Sequence, residues 1–330
     1  MSVLKNISFA SKVAKSNIFG ARYPLSVTFI STYRCNFTCE YCEVWRFKEN
    51  EMSTKEVITM IDEFASLGMR RFSFNGGEPL LRDDIGDLIS HCRSKGIFTT
   101  MFSNGSLVPR YVSKLRDLDI LVISLDGPKE VHDRQRMEGT HGMVIEGIRA
   151  AKRAGLNVWT NTVITKDNLS HLCGLVEDAK ELGVKMIFQP VLEYSHSSES
   201  SKIEGLASDS KEYQKLIANL KELKKKGAPI VHSLDYLDYI KVPVWAINKR
   251  KCWAGKLYCA VTPTGDVAPC YPVFKSGKWP NGLKMGFDKA FRSLGKFGCN
   301  GCYCALIESD FLYSFKVGAI LNLMKSMEAV

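Results

Sequence analysis

From Leu25 onward, short β-branched runs alternate with amphipathic segments, and this alternation limits the fold more than any other feature of the chain. Residues 25–30, 71–74, 98–102, 120–124, 158–164 and 186–189 read as strands, and segments such as 54–67, 84–94, 143–154 and 169–182 carry apolar residues at helical spacing. A series of six such units predicts a parallel sheet, because a connection the length of a helix brings the next strand in parallel. Right-handed crossovers repeated in one direction curl that sheet toward a barrel, full or partial, with functional groups at the carboxyl ends of the strands. An open Rossmann-like sheet is the alternative that the pattern leaves standing.

The regularity stops after Gln189. Residues 194–210 are Ser-rich and polar and read as a long loop before one more helix over 211–225. Beyond about Ser233 the chain becomes rich in Cys, Gly, Pro and aromatics, which suits a small metal-stapled module. The expected division is an amphipathic segment over 1–22, the barrel over 23–230, the small module over 231–309 and an amphipathic helix over 310–330.

The eleven cysteines are odd in number, fall in tight groups, and follow a start, Met1 to Ser11, without the apolar core of a secretory leader. A reducing cytoplasm with thiolates gathered around metal is therefore expected, not a disulfide framework. Cys35, Cys39 and Cys42 follow directly on the first strand, at the rim of the expected barrel. Three thiolates at CxxxCxxC spacing ligate three irons of a [4Fe-4S] cube and leave the fourth open, whereas structural zinc prefers four protein ligands.

This triad, with Tyr41 before its last cysteine, is similar to the signature of the radical S-adenosylmethionine (SAM) superfamily. The resemblance implies that SAM chelates the open iron, that reduction cleaves it to methionine and a 5'-deoxyadenosyl radical, and that the radical abstracts a substrate hydrogen. Further matches stand at successive strand ends. Gly76-Gly77-Glu78-Pro79 looks like the family's GGEP segment, expected to hold the SAM amino group, and Ser103-Asn104-Gly105 resembles its TNG element. Ser124-Leu125-Asp126-Gly127 resembles SLDG or SIDG, with Ser124 expected on ribose or carboxylate; Arg136 stands where relatives place an arginine for the SAM carboxylate. Asn161 and Gln189 end the fifth and sixth strands and are expected at the same rim. The implied fold is a partial (βα)6 TIM-like barrel with a small C-terminal Fe–S domain.

A second set, Cys252, Cys270, Cys299 and Cys302, can ligate a second [4Fe-4S] cluster or one zinc ion, and ligand count does not separate these. Residues 262–270 read as a hairpin between ligands and resemble the CxnGx4C half of a SPASM or Twitch module. With no cysteine after Cys304, the resemblance points to the shorter Twitch type with one auxiliary cluster; Cys259 and Cys304 are potential substitutes among its ligands. Cys92 and Cys173 fall in helical segments and read as small core residues.

The net charge of +10 favours an anionic partner or surface, but no basic stripe interleaved with aromatics points to nucleic acid. Leu4, Ile7, Val13, Ile18 and Phe19 at one end, and Phe311, Phe315, Val317, Ile320, Leu321 and Leu323 at the other, form amphipathic segments too short to span a bilayer. Packing that closes open edges of the fold is weighed above peripheral contact with the inner face of an anionic membrane. The expected activity is radical SAM tailoring of a small molecule or lipid, with a low-potential donor such as flavodoxin or ferredoxin. A ribosomal-peptide maturase is the alternative, and a non-catalytic Fe–S carrier or zinc-stapled binding protein is the rival of another class.

Overall fold

The computed structural model describes residues 3–191, 210–242, 251–275, 277–295, 302, 304, 306–316, 318–320 and 322. The expectations for Cys299, for the loop over 194–209, and for Val317, Leu321 and Leu323 lie outside the described residues, as do those for the side chains of Leu4 and Ile7.

Eight strands form one sheet in the order β6-β5-β4-β3-β2-β1-β7-β8. They are β1 (Ser26–Ile30), β2 (Arg71–Asn75), β3 (Phe98–Ser103), β4 (Ile120–Ser124), β5 (Val158–Ile164), β6 (Lys185–Pro190), β7 (Tyr258–Val261) and β8 (Val267–Ala268). Strands β1 to β6 pair in parallel in strict sequence order, so every crossover steps the same way. A Rossmann-like sheet reverses direction at its centre, and the order found here excludes it. The sheet does not close between β6 and β8 among the described residues, which makes it a partial barrel.

The helices are α1 (Val3–Phe19), α2 (Thr54–Ser66), α3 (Ile85–Ser94), α4 (Val108–Tyr111), α5 (Lys129–Gln135), α6 (Thr140–Arg153), α7 (Leu172–Glu181), α8 (Lys211–Lys225), α9 (Leu234–Ile240), α10 (Gly282–Met285), α11 (Phe287–Arg292) and α12 (Ile307–Tyr313). Helix α2 shows why these segments fold as they do. Ser53 and Glu56 close a capping box at its start, and Val57, Met60, Ile61 and Phe64 form one buried stripe. Each such side chain contributes about 1.5–3 kcal/mol on burial. The stripe shares a core with Val27, Phe29, Phe72 and Phe74, alternate residues of β1 and β2.

Two features of the sheet were not foreseen. Strand β7 pairs in parallel with β1, Ser26 opposite Tyr258 and Phe29 opposite Val261, so the sheet continues into the C-terminal module. At the other edge Ile230 bridges Met186 in parallel, with the Val231 N–H donating to the Met186 carbonyl at 2.9 Å. The expected hairpin is present as β7 and β8, turning through Gly265 at φ +85°.

Helix α12 lies across the gap between these edges. On one side Asp310 accepts from the Trp253 N–H at 2.9 Å and the Tyr258 hydroxyl at 3.0 Å; on the other, Glu308 accepts from the Ser233 N–H at 2.7 Å. Helix α1 packs against it, with Phe9 and Tyr313 rings 6.1 Å apart and Asn17 donating to the Tyr313 carbonyl at 3.0 Å. Val13 is buried in this packing and Phe311 in the main core, while Ile18, Phe19 and Phe315 stay exposed. Each terminal segment thus commits one of these apolar side chains to the body of the fold and leaves the rest on the surface.

Two glycines of α6 offer a direct test of its seating. A Cβ on Gly147 would lie 2.2 Å from the Gly105 carbonyl oxygen, whereas one on Gly142 meets nothing within 4 Å. Gly147→Ala is expected to destabilise the apoprotein by about 2 kcal/mol or more, and Gly142→Ala to leave it unchanged or stabilise it by up to about 1 kcal/mol. Urea unfolding of the two variants checks this; equal effects would contradict the packing.

Candidate active site

Because side chains alternate along a strand, the face of the sheet turned away from the helices presents its own set of residues. Ser26, Thr28, Ser73, Asn75, Thr100, Phe102, Val122, Ser124, Trp159, Asn161, Ile187 and Gln189 line a cavity of about 500 Å3. One half carries hydroxyls and amides from β1 to β3. The other half is apolar, lined by Phe102, Val122, Trp159, Ile187 and Val231.

At the mouth of the cavity stand Cys35, Cys39 and Cys42, together with Tyr41, Gly76, Gly77, Ser103, Asn104 and Arg136. The cysteine loop is registered on the second strand end by backbone bonds: Gly77 N–H to Thr32 O at 2.8 Å and Glu78 N–H to Arg34 O at 2.9 Å. A Cβ on Gly76 would approach Thr32 O to 2.4 Å, and one on Gly77 would approach Arg34 O to 2.1 Å. The two glycines therefore serve the close approach of the cysteine loop. Asn104 extends the tie, its amide donating to Asn36 Oδ1 at 2.8 Å.

Glu78 departs from expectation. It has no exposed surface and does not line the cavity; its carboxylate accepts from Leu80 N–H at 3.1 Å, Asn104 N–H at 2.7 Å and the Ser103 hydroxyl at 2.9 Å. It fastens the second strand end to the third and is spent there, so it is not turned toward a SAM amino group. Burial pushes its carboxyl up to about 7, against the lowering effect of those three donors. Pro79 is also buried, starting a short 3-10 turn outside the cavity.

Asp126, within the Ser124-Leu125-Asp126-Gly127 motif, has a role that the sequence does not announce. It is fully buried, and its Oδ2 accepts from the Tyr41 hydroxyl at 2.7 Å and Arg136 Nε at 2.6 Å, while Oδ1 accepts from Val163 N–H at 2.8 Å. One carboxylate thereby joins the cysteine loop, α5 and β5. Burial alone would lower the Arg136 pKa, but Asp126, Tyr41 and Cys39 more than reverse this, and the guanidinium stays charged with Nη1 4.0 Å from Cys39 Sγ. His132 accepts from the Asp126 N–H through Nδ1 at 3.2 Å, and burial beside Arg136 lowers its pKa to about 4. Arg82, equally unforeseen, braces the loop from below, donating to Ser31 O and Met52 O at 3.1 Å each and pairing with Asp84 at 2.7 Å.

Burial raises all three thiols, Cys35 to about 11 and Cys42 to about 12, and Arg136 opposes the rise at Cys39. Such thiols are protonated without metal and give up protons on binding one. Three thiols and a guanidinium on one cavity wall fit an Fe–S cluster of three protein ligands, with an anionic ligand beside it.

The second cysteine set is described in part. Cys252 is exposed with Sγ 3.4 Å from the Tyr258 hydroxyl; Cys270 is buried, and the two are electrostatic neighbours of Tyr258. Cys302 and Cys304 neighbour Tyr236 in the same sense, and Cys304 lines the cavity. Cys259 is corrected: on β7 opposite Val27 it is 2% exposed within the main core, a packing residue remote from any ligand role. Cys92 is likewise buried in that core.

The profile of the Radical SAM superfamily matches residues 29–179. The chain is 32% identical over 157 residues to the Fe-coproporphyrin III synthase of Methanosarcina barkeri, covering 46% of this chain and 39% of that protein. It is 27% identical to the AdoMet-dependent heme synthase of Oleidesulfovibrio alaskensis over 72% of this chain and 67% of that one. It is 25% identical to the PqqA peptide cyclase of Granulibacter bethesdensis over 75% and 68%. In fold it is similar to Streptococcus suis SuiB, solved bound to S-adenosylmethionine, at TM-score 0.69 and 18% identity, over 86% of this chain and 69% of that one.

Glu78 carries a pH signature. Its neutral form is favoured in the folded chain, so its contribution to stability is full below about pH 4.5 and is lost as pH rises through about 7. Between about pH 5 and about pH 8 the unfolding free energy is expected to fall by up to about 3 kcal/mol from this group. Glu78→Gln should flatten that component in urea titrations; an unchanged slope in the variant would contradict the assignment.

Proposed function

We propose that the chain is a radical SAM enzyme, as the profile match over residues 29–179 and the likeness to AdoMet-dependent heme synthases support, and that Cys35, Cys39 and Cys42 hold its [4Fe-4S] cluster while the rim of the cavity holds SAM. The observation that carries this reading is the convergence of the three cysteines, Arg136, Ser124, Asn161 and Gln189 on one cavity. When bound, the cluster and SAM together supply a 5'-deoxyadenosyl radical able to remove an unactivated hydrogen atom.

The chain's own residues bind and orient. Arg136, fixed by Asp126 on one side, presents its guanidinium to the SAM carboxylate. Backbone groups of Gly76 and Gly77, with Ser103 and Asn104, border the amino end; Ser124, Asn161 and Gln189 offer polar contacts to the ribose side. The apolar half of the cavity excludes water from the reacting hydrogen.

An auxiliary [4Fe-4S] cluster on Cys252, Cys270, Cys302 and either Cys299 or Cys304 completes the reading. The substrate is a small molecule or lipid held between the two cysteine sets, the rank favoured by the mixed polar and apolar lining. A peptide substrate is the second reading, supported by the likeness to the PqqA peptide cyclase. An external low-potential carrier such as flavodoxin or ferredoxin supplies electrons. No helix among the described residues is long and apolar enough to cross a membrane. Peripheral contact with an anionic bilayer ranks below packing in this reading: Val13 and Phe311 are committed to the fold, and among the described residues of the terminal segments Ile18, Phe19 and Phe315 are the exposed apolar side chains left for such a contact.

Anaerobic reconstitution tests the proposal. The wild type is expected to hold about eight iron and to form 5'-deoxyadenosine from SAM on reduction; Cys39→Ala should fall to about four iron and form none. Wild type with full clusters but no 5'-deoxyadenosine contradicts the enzyme reading, and about four iron in the wild type contradicts the auxiliary cluster.

A further inference from the structure

The wall of the cavity opposite the sheet is made by α12 and by the segment that follows the Ile230 bridge. Glu308 stands there with its side chain 24% exposed, lining the cavity. Its Oε1 accepts from Ser233 N–H at 2.7 Å and lies 3.4 Å from His232 Nδ1, and the one Ser233 hydroxyl proton is shared between Oε2 at 2.8 Å and Oε1 at 3.1 Å. Phe188 N–H donates to His232 Nε2 at 3.0 Å, which occupies that lone pair and leaves the ring proton on Nδ1, facing the carboxylate. The imidazole is itself fixed, 3% exposed and stacked on Tyr236 at 4.0 Å.

The two carboxylate oxygens are thus unequal. Oε1 takes the Ser233 N–H and faces the His232 ring, whereas among the described residues Oε2 has only the shared Ser233 hydroxyl, at 2.8 Å. An ionised carboxylate has room for about four donors. Burial opposes ionisation, but His232 and Ser233 outweigh it and hold the group below the usual carboxylate range. Beside it Val231 belongs to the apolar cluster with Ile187, Val122 and Trp159. A preorganised negative charge next to a hydrocarbon wall suits a cation borne on an apolar arm.

We propose that Glu308 is the substrate-recognising carboxylate of this cavity, taking an ammonium or guanidinium group of the molecule to be modified through its Oε2. This rests on the reading of the cavity as the radical SAM active site. Glu308 also ties α12 to the start of α9, and a purely structural role would end there.

The test uses the anaerobically reconstituted, SAM-loaded enzyme, with benzylammonium as the cationic probe and benzyl alcohol as its neutral isostere, both followed by calorimetry. Wild type is expected to bind benzylammonium about tenfold more tightly than benzyl alcohol or better. Glu308→Gln, which keeps an acceptor for Ser233, should lose that preference while still binding benzyl alcohol; Glu308→Asp should keep part of it. A preference that survives in Glu308→Gln, equal binding of both probes by wild type, or no saturable binding of benzylammonium would overturn the proposal. Formation of 5'-deoxyadenosine by the same wild-type preparation is scored separately, so failure of the family chemistry and failure of the Glu308 assignment are told apart.

Discussion

The rim of this barrel depends on one buried carboxylate, Asp126. A charge with no exposed surface is tolerated only when its lone pairs are filled, and removing one partner of such a pair costs about 3–5 kcal/mol. The partners of Asp126 come from three separate elements: Tyr41 from the cysteine loop, Arg136 from the end of α5, and the Val163 amide from β5. None of the three can shift without leaving a buried charge or donor unsatisfied. The loop that carries Cys35, Cys39 and Cys42 is therefore positioned by the fourth and fifth strands as well as by the first.

A second constraint is steric and acts from the other side of the loop. Gly76 and Gly77 leave no room for a side chain against Thr32 and Arg34, and the bond from Glu78 N–H to Arg34 O sets the register. Glu78 then turns inward to the third strand end. Gly-Gly-Glu thus works as a spacer and a fastener: its backbone faces the cavity while its carboxylate faces the core. With Asp126 and Glu78 on opposite flanks, the guanidinium of Arg136 reaches the cavity already charged and already aimed, so little reorganisation is required when an anionic ligand arrives.

Much of this was legible in the sequence, and the limits have physical reasons. The strand and helix alternation carries the parallel sheet because period-2 and period-3.6 patterns are local. The cysteine spacing carries the grouping of three thiols at the cavity because residues on one loop are local too. What escaped was long-range pairing: β7 joining β1, Ile230 joining Met186, and α12 crossing between those edges all link residues far apart in sequence. Direction escaped as well. Glu78 and Asp126 both stand at strand ends in polar motifs, and the sequence alone does not tell a carboxylate that faces a ligand from one that faces three backbone or side-chain donors. Cys259 was a candidate ligand by proximity in sequence, and only its pairing opposite Val27 shows it to be core.

The cavity that results is closed on one face by the sheet and on the other by α12, which Asp310 holds on one side and Glu308 on the other. It joins a polar half beneath the cysteine loop to an apolar half near Trp159. The claim on which this account turns is that Asp126 couples the cysteine loop to the barrel rim. A double-mutant cycle of Tyr41→Phe and Asp126→Asn, read by urea unfolding of the apoprotein, measures that coupling directly. The account predicts an interaction energy of about 1 kcal/mol or more between the two sites; effects that simply add would contradict it.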